Sequence, residues 1–143
     1  MIALTGSFAV FFALGLAGVP FFAGWHAPLR CALAVMFLLT ACAHWGKRRP
    51  DLIRMVPPRL PRPDVLVTLT GLFELAGAVG LLLAPTARLA AAGLSLLLLA
   101  MFPANIHAAR ERLTIGGRRV PGLVARTTLQ LLFVAATLAV AHR

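Results

Sequence analysis

Five long apolar stretches constrain the fold of this chain more than any other feature of its sequence. They are residues 2–23, 29–45, 65–84, 89–107 and 120–141. A helix that crosses a bilayer needs about 20 apolar residues, within a range of roughly 17–25. Because lipid offers no partner to backbone polar groups, a spanning segment must be a helix or part of a closed barrel. The sequence therefore predicts an all-α membrane protein with a single transmembrane domain over residues 1–143.

The composition agrees with a membrane protein and argues against nucleic acid as a partner. Hydrophobic residues make up 60% of the chain and charged residues 13%, whereas soluble domains carry about 25% charged residues. The net charge is +10, but the basic residues are confined to segments between the apolar stretches and no nucleic-acid motif accompanies them. We therefore expect the basic segments to contact the lipid bilayer, and we expect no nucleic-acid partner.

The first apolar stretch differs from a cleavable signal peptide. No Lys or Arg precedes Arg30, and no convincing small-x-small cleavage site occurs near residues 21–27. We therefore expect residues 2–23 to be retained as a membrane span. Cleavage is the alternative, and it would leave four spans.

The basic residues alternate between heavily and lightly charged connections. The two heavy connections hold Lys47, Arg48, Arg49, Arg54, Arg59 and Arg62 in one and Arg110, Arg112, Arg118 and Arg119 in the other. Cytoplasmic loops carry the excess of Lys and Arg. Five spans with a cytoplasmic N-terminus would place both heavy connections inside and the C-terminus outside.

The basic connection at residues 46–64 is also rich in proline. Its five prolines in nineteen residues predict extended or turn geometry and no regular helix. Apolar residues in its middle favour a stiff segment lying on the membrane surface, with arginines reaching the headgroups. A docking surface for a soluble protein partner is the alternative.

Glu74 is the strongest candidate for a functional residue. It is the only ionisable residue in 65–84, about 15 Å from the start of that helix at about 1.5 Å per residue. A charged acid facing lipid at that depth costs at least ~2.5 kcal/mol. We therefore expect Glu74 to be protonated, paired or turned towards a cavity. Gly71 and Ala78 share its helix face, which predicts that it faces another helix.

Further polar residues lie towards the predicted cytoplasmic face of the membrane. We hypothesise that they line a ligand-binding pocket with Glu74 at its deepest point; they are His44, Asn105, His107, Arg126 and Gln130. Structural alternatives remain open. Asn105 could repair the backbone at a Pro103 kink, Gln130 could bond between helices, and Arg126 could reach the interface. Both histidines are expected more than a turn shallower than Glu74, so no metal site is predicted.

Several segments together resemble the DoxX family of small bacterial membrane proteins. They are AHW at 43–45, MVPPRLPRP at 55–63, TGLFELAGAVGLLL at 70–83, RLAAAGLSLLLLAMFPANIHAA at 88–109 and RTTLQ at 126–130. The resemblance implies a compact four-helix transmembrane bundle in the bacterial inner membrane, here with one extra N-terminal transmembrane helix. It also implies that the family's recurring polar and kink positions fall at His44, Glu74, Pro103, Asn105 and Gln130.

The family takes its name from a subunit of a thiosulfate:quinone oxidoreductase. The resemblance therefore implies a membrane subunit of a quinone-linked or redox-associated complex, binding a lipophilic ligand such as a quinone near Glu74. A soluble or membrane protein partner would dock on the basic loops. Two alternatives stay open, a small proton-coupled carrier, to which a homodimer would supply a pathway, and a structural scaffold without chemistry of its own.

Overall fold

Helices make up most of the structure, a computed structural model that describes residues 2–142. The helices are α1 (Ile2–Leu16), α2 (His26–Ala43), α3 (Arg49–Met55), α4 (Pro63–Leu82), α5 (Ala87–Ala100), α6 (Phe102–Arg110) and α7 (Leu123–Ala141). A 3-10 helix lies at Pro20–Phe22, and two short strands, β1 (Thr114–Ile115) and β2 (Arg118–Arg119), pair antiparallel. Four segments are long and apolar enough to cross a membrane, namely His26–Ala43, Pro63–Leu82, Ala87–Arg110 and Leu123–Ala141. The predicted all-α class is confirmed, with membrane-compatible helices.

The hydrophobic core lies among α2, α4, α5 and α7. Helix α2 packs against α4 and α7, and α5 packs against the same two helices, so the four form a closed ring. Large apolar side chains fill its centre; they include Leu33 and Phe37 of α2, Leu81 of α4, Leu94 of α5 and Val140 of α7. Other leucines of the same helices are exposed on the outside of the ring. This pattern suits a bundle whose outer surface meets lipid.

The N-terminal stretch is shorter as a helix than the sequence predicted. Helix α1 has 15 residues, roughly 22 Å at about 1.5 Å per residue, and packs outside the ring against α2. It ends because Gly18 adopts a positive φ of 93° and Pro20 follows. Gly15 permits the chain to fold back, since a Cβ there would overlap the Phe22 carbonyl oxygen. A single helix over residues 2–23 is therefore wrong.

The proline-rich connection contains a helix that the sequence did not predict. Helix α3 begins next to Pro50, and a proline in the first turn needs no hydrogen-bond partner for its nitrogen. Asp51 in the first turn and Arg54 in the last turn both interact favourably with the helix dipole and so stabilise α3. The other four prolines all follow Met55. The prediction of extended or turn geometry is thus wrong for α3 and holds for the residues after it.

The fourth apolar stretch is divided in two, at the kink the sequence predicted. Helix α5 ends at Ala100 and α6 begins at Phe102, with Pro103 in its first turn. Helix α7 then begins at Leu123 rather than at residue 120, because a hairpin occupies the preceding connection. Its turn residues Gly116 and Gly117 have φ of 57° and 77°, as a type I′ turn requires at both central positions.

Candidate functional site

His44 and Glu74 lie against each other inside the bundle. The His44 Nδ1 and Glu74 Oε2 atoms are 3.9 Å apart, and each residue is 4% exposed. The expectation that His44 lies more than a turn shallower than Glu74 is therefore wrong. Helix α2 ends at Ala43, at the level of Gly71 in α4. Helix α4 begins about two turns before Gly71, so its first two turns extend beyond the end of α2. The end of α2 thus reaches the level of Gly71 and Glu74.

A glycine brings the two helices this close together. A Cβ atom on Gly71 would lie 2.7 Å from the Cβ atom of His44 and 2.9 Å from the nearest ring carbon of Trp45. Both distances are shorter than van der Waals contact allows. Gly71 therefore lets the α4 backbone pack directly on His44, one helical turn from Glu74.

Hydrogen bonding fixes the orientation of the His44 ring. Its Nδ1 is 3.0 Å from the Thr40 carbonyl oxygen, and because a carbonyl can only accept, Nδ1 carries the hydrogen. The Nε2 atom is then the ring nitrogen available to a ligand. The Thr40 hydroxyl lies beside the Glu74 carboxyl, but Glu74 Oε2 is buried without a hydrogen-bond partner. Leaving a buried polar atom unpaired costs about 1–3 kcal/mol, so Glu74 Oε2 is a candidate to hydrogen-bond a ligand.

An apolar cavity of about 200 Å³ borders His44 on another side. Its walls come from α3 and the residues just after it, from the first half of α4, and from the junction of α5 and α6; they include Leu52, Met55, Val67 and Met101. His44 is the titratable residue of this lining. The cavity is smaller than the roughly 300–1,000 Å³ of drug-sized sites, so it suits one ring or a short apolar segment.

Arg49 closes the loop end of this site, and sequence reasoning missed its role. One guanidinium nitrogen donates to the His44 carbonyl at 2.8 Å. The other donates to the Thr68 hydroxyl at 2.8 Å and to the Asp64 carbonyl at 3.1 Å. Arg49 thereby ties the start of α3 to the end of α2 and the start of α4. In the sequence it belongs to a run of three basic residues, and nothing distinguishes it from its neighbours.

Asn105 and Gln130 form a separate pair that joins α6 to α7. The Asn105 side-chain amide donates to Gln130 Oε1 at 3.0 Å, and the Gln130 amide nitrogen donates to the Leu98 carbonyl. Leu98 lies in the last turn of α5, just before the break between α5 and α6. Both amides are thus used within the protein. Gln130 makes the interhelical bonds of its structural alternative, and it is Gln130 rather than Asn105 that bonds a backbone carbonyl near the kink.

The two remaining candidate residues lie at the same loop end of the bundle. His107 lines a cleft of about 500 Å³ together with Arg59 and Arg110. Arg126 lies in the first turn of α7, half-buried, and its Nη1 atom has no hydrogen-bond partner. Within residues 2–142, no three His, Cys, Asp or Glu side chains group closely enough to hold a metal ion. The six candidates therefore divide into the His44–Glu74 pair, the Asn105–Gln130 pair and two separate residues.

A family model described as "Domain of unknown function (DUF8561)" matches residues 33–141, which include the four long helices from Leu33 onward and the whole of the site. No curated protein matches the chain, and no solved structure matches it.

Proposed function

The chain belongs to the DUF8561 family, and from its site we propose that it is a membrane protein that binds a lipophilic ligand beside His44 and Glu74. The observation that carries the proposal is the position of His44, which lines the apolar cavity and also lies against the buried Glu74 carboxyl. An apolar cavity with a small number of polar groups at its wall is the usual form of a site for a lipophilic molecule.

A quinone is the ligand class that this chemistry favours. The ring of a quinone is flat and apolar and carries carbonyl oxygens, which accept hydrogen bonds. Reduction of a quinone to a quinol adds two electrons and two protons. In the proposed role His44 and Glu74 provide the proton-carrying groups, and a partner protein provides the electrons. The protein is then a membrane subunit of a quinone-linked complex, as its resemblance to the DoxX family implies.

The proposed setting is the bacterial inner membrane, with the basic connections on the cytoplasmic side. Residues 46–62 and 111–122 lie at the same end of the bundle, because the chain crosses the bundle twice between them, once through α4 and once through α5 and α6. They also contact each other, since the Gly116 amide donates to the Asp51 carboxylate at 2.8 Å. A partner that supplies electrons would dock on this joined basic surface, over the site of His44.

Binding of decylubiquinone to the purified protein in detergent tests the proposal, measured by native mass spectrometry and by fluorescence titration. We expect Glu74→Gln and His44→Phe to weaken binding by about tenfold each, the loss of one good hydrogen bond. Leu52→Trp should do the same by filling the cavity. Asp64→Asn is the matched control, an exposed carboxylate at the start of the same helix, and should bind as the unchanged protein does.

The outcome also separates the two alternatives. Unchanged decylubiquinone binding in all three site variants would contradict the proposal. Proton-dependent uptake of a solute into proteoliposomes, abolished by Glu74→Gln, would instead indicate a carrier. A scaffold would be indicated if neither the unchanged protein nor the Glu74→Gln variant binds a ligand. In that case the variant should also fold and keep a co-purifying protein partner.

A further inference from the structure

A charged cleft lies next to the cavity that borders His44. Its volume is about 500 Å³, and Pro57 and Pro103 line both it and the cavity. Its polar lining consists of Arg59, His107, Arg110 and Glu111. The proposed lipophilic site does not use these side chains, so the cleft needs an explanation of its own.

Two unpaired arginines dominate the charge of this cleft. Arg59 follows α3 and Arg110 ends α6, and they approach each other because α3 packs against α6. Both are exposed. Across residues 2–142, no carboxylate forms an ion pair with either of them, whereas Arg54 is paired with Asp51. Glu111 is the single acid of the lining, and His107 lies one turn before Arg110 on the same face. The cleft therefore attracts an anion.

The rest of the cleft is apolar and lies at the end of a membrane-crossing segment. Ile106, Pro57 and Pro58 form part of its surface. The apolar segment Ala87–Arg110 terminates at Arg110, which places the cleft at the depth of the headgroups in a bilayer. A ligand here meets positive charge beside apolar surface, the combination that an amphiphile with an anionic head provides.

We propose that this cleft binds the headgroup phosphate of an anionic phospholipid. The guanidinium groups of Arg59 and Arg110 bind the phosphate oxygens, as arginine forks do in a charge-assisted, two-bond geometry. Ile106 and the prolines contact the first carbons of the lipid. A phospholipid covers both the arginines and this apolar surface, whereas a free phosphate ion would leave the apolar surface uncovered.

The test is lipid binding by the full-length protein, delipidated in detergent and titrated with dioleoyl phosphatidylglycerol or dioleoyl phosphatidylcholine. Native mass spectrometry counts the bound lipids. We expect tighter binding of phosphatidylglycerol and a roughly 10–30-fold loss of that affinity in the double variant Arg59→Gln/Arg110→Gln. Since both side chains are exposed, this variant should keep its circular dichroism spectrum and melting temperature.

The matched control removes the same charge from the same end of the protein. Arg118→Gln/Arg119→Gln changes two exposed residues of β2 that lie outside the cleft, and it should keep the affinity for phosphatidylglycerol. An equal loss in both double variants would overturn the proposal, because net charge alone would then explain binding. Equal binding of the two lipids, or complete displacement of phosphatidylglycerol by inorganic phosphate, would overturn it as well. Neither result depends on decylubiquinone binding.

Discussion

Gly71 and His44 are in direct backbone-to-side-chain contact, and this contact sets the position of the buried acid. A Cβ atom on Gly71 would lie 2.7 Å from the His44 Cβ and 2.8 Å from its Cγ. Glu74 lies one turn further along α4, with its Oε2 atom 3.9 Å from His44 Nδ1. The absence of a side chain at one position thus determines which residues meet at the site.

Gly71→Ala should therefore weaken both the fold and the site. The added methyl group forces α4 away from α2, and overpacking of this kind costs about 1–3 kcal/mol. We expect a lower melting temperature in detergent and weaker binding of decylubiquinone. Gly93→Ala is the control, since a Cβ at Gly93 of α5 meets nothing within 4 Å. Alanine there should leave stability unchanged or raise it by up to about 1 kcal/mol. Equal effects of the two changes would contradict the packing argument.

Gln130→Leu should lower stability and leave ligand binding intact. The change removes the partner of the Leu98 carbonyl and of the Asn105 amide. Hydrogen bonds between membrane helices contribute about 0.6 kcal/mol on average and up to about 1.7, so we expect a loss near 1 kcal/mol. Thermal unfolding in detergent measures it, with Thr128→Val of the same helix as control. Loss of decylubiquinone binding at full stability would show instead that Gln130 contacts the ligand.

The contact between the two basic connections should respond to acid. The hydrogen bond from Gly116 and the ion pair with Arg54 hold the pKa of Asp51 below its usual range. A carboxylate whose pKa is lower in the folded state stabilises that state above its unfolded pKa of about 3.9, and the effect is lost as pH falls through the lower folded value. The chemical shift of the Gly116 amide should follow this titration.

We expect its midpoint below about pH 3.9, and we expect Asp51→Asn to abolish the titration of the Gly116 amide. Asp64→Asn should leave it as it is, since that carboxylate lies at the start of α4, away from the hairpin. A midpoint at or above the ordinary aspartate value would mean that the hydrogen bond and the ion pair do not hold in solution.

The proposed membrane orientation predicts the behaviour of two reporter fusions. Alkaline phosphatase fused after the last residue of the chain should be active, because α7 runs from the basic end of the bundle to the opposite end, which the proposed orientation places outside. A green fluorescent protein inserted at Gly116–Gly117, in the exposed turn of the hairpin, should fluoresce in the cytoplasm. An inactive phosphatase fusion that is expressed at a normal level would reverse the assigned orientation.

Glu74 and His44 show how far sequence reasoning reached at the site. An isolated carboxyl in an apolar stretch, with Gly71 and Ala78 on its face, predicted that Glu74 faces a helix, and it is 4% exposed. The sequence did not predict His44 as the neighbour of Glu74. The ends of two apolar stretches do not show how far one helix is shifted along the membrane normal relative to the other. Helix α4 extends about two turns further than α2, and only packing reveals that offset.

The sequence by itself determined the class of the protein and most of its helices. Apolar length, small residues on one helix face and the proline at 103 act locally. They therefore predicted spans, contact faces and a kink without knowledge of which helices are neighbours. The tertiary structure decided which residues of different helices are in contact. The cavity beside His44, the Arg49–Thr68 bond, the Gln130–Leu98 bond and the arginine-lined cleft each join residues that are distant in the chain. Such contacts depend on how the helices are offset and rotated against one another.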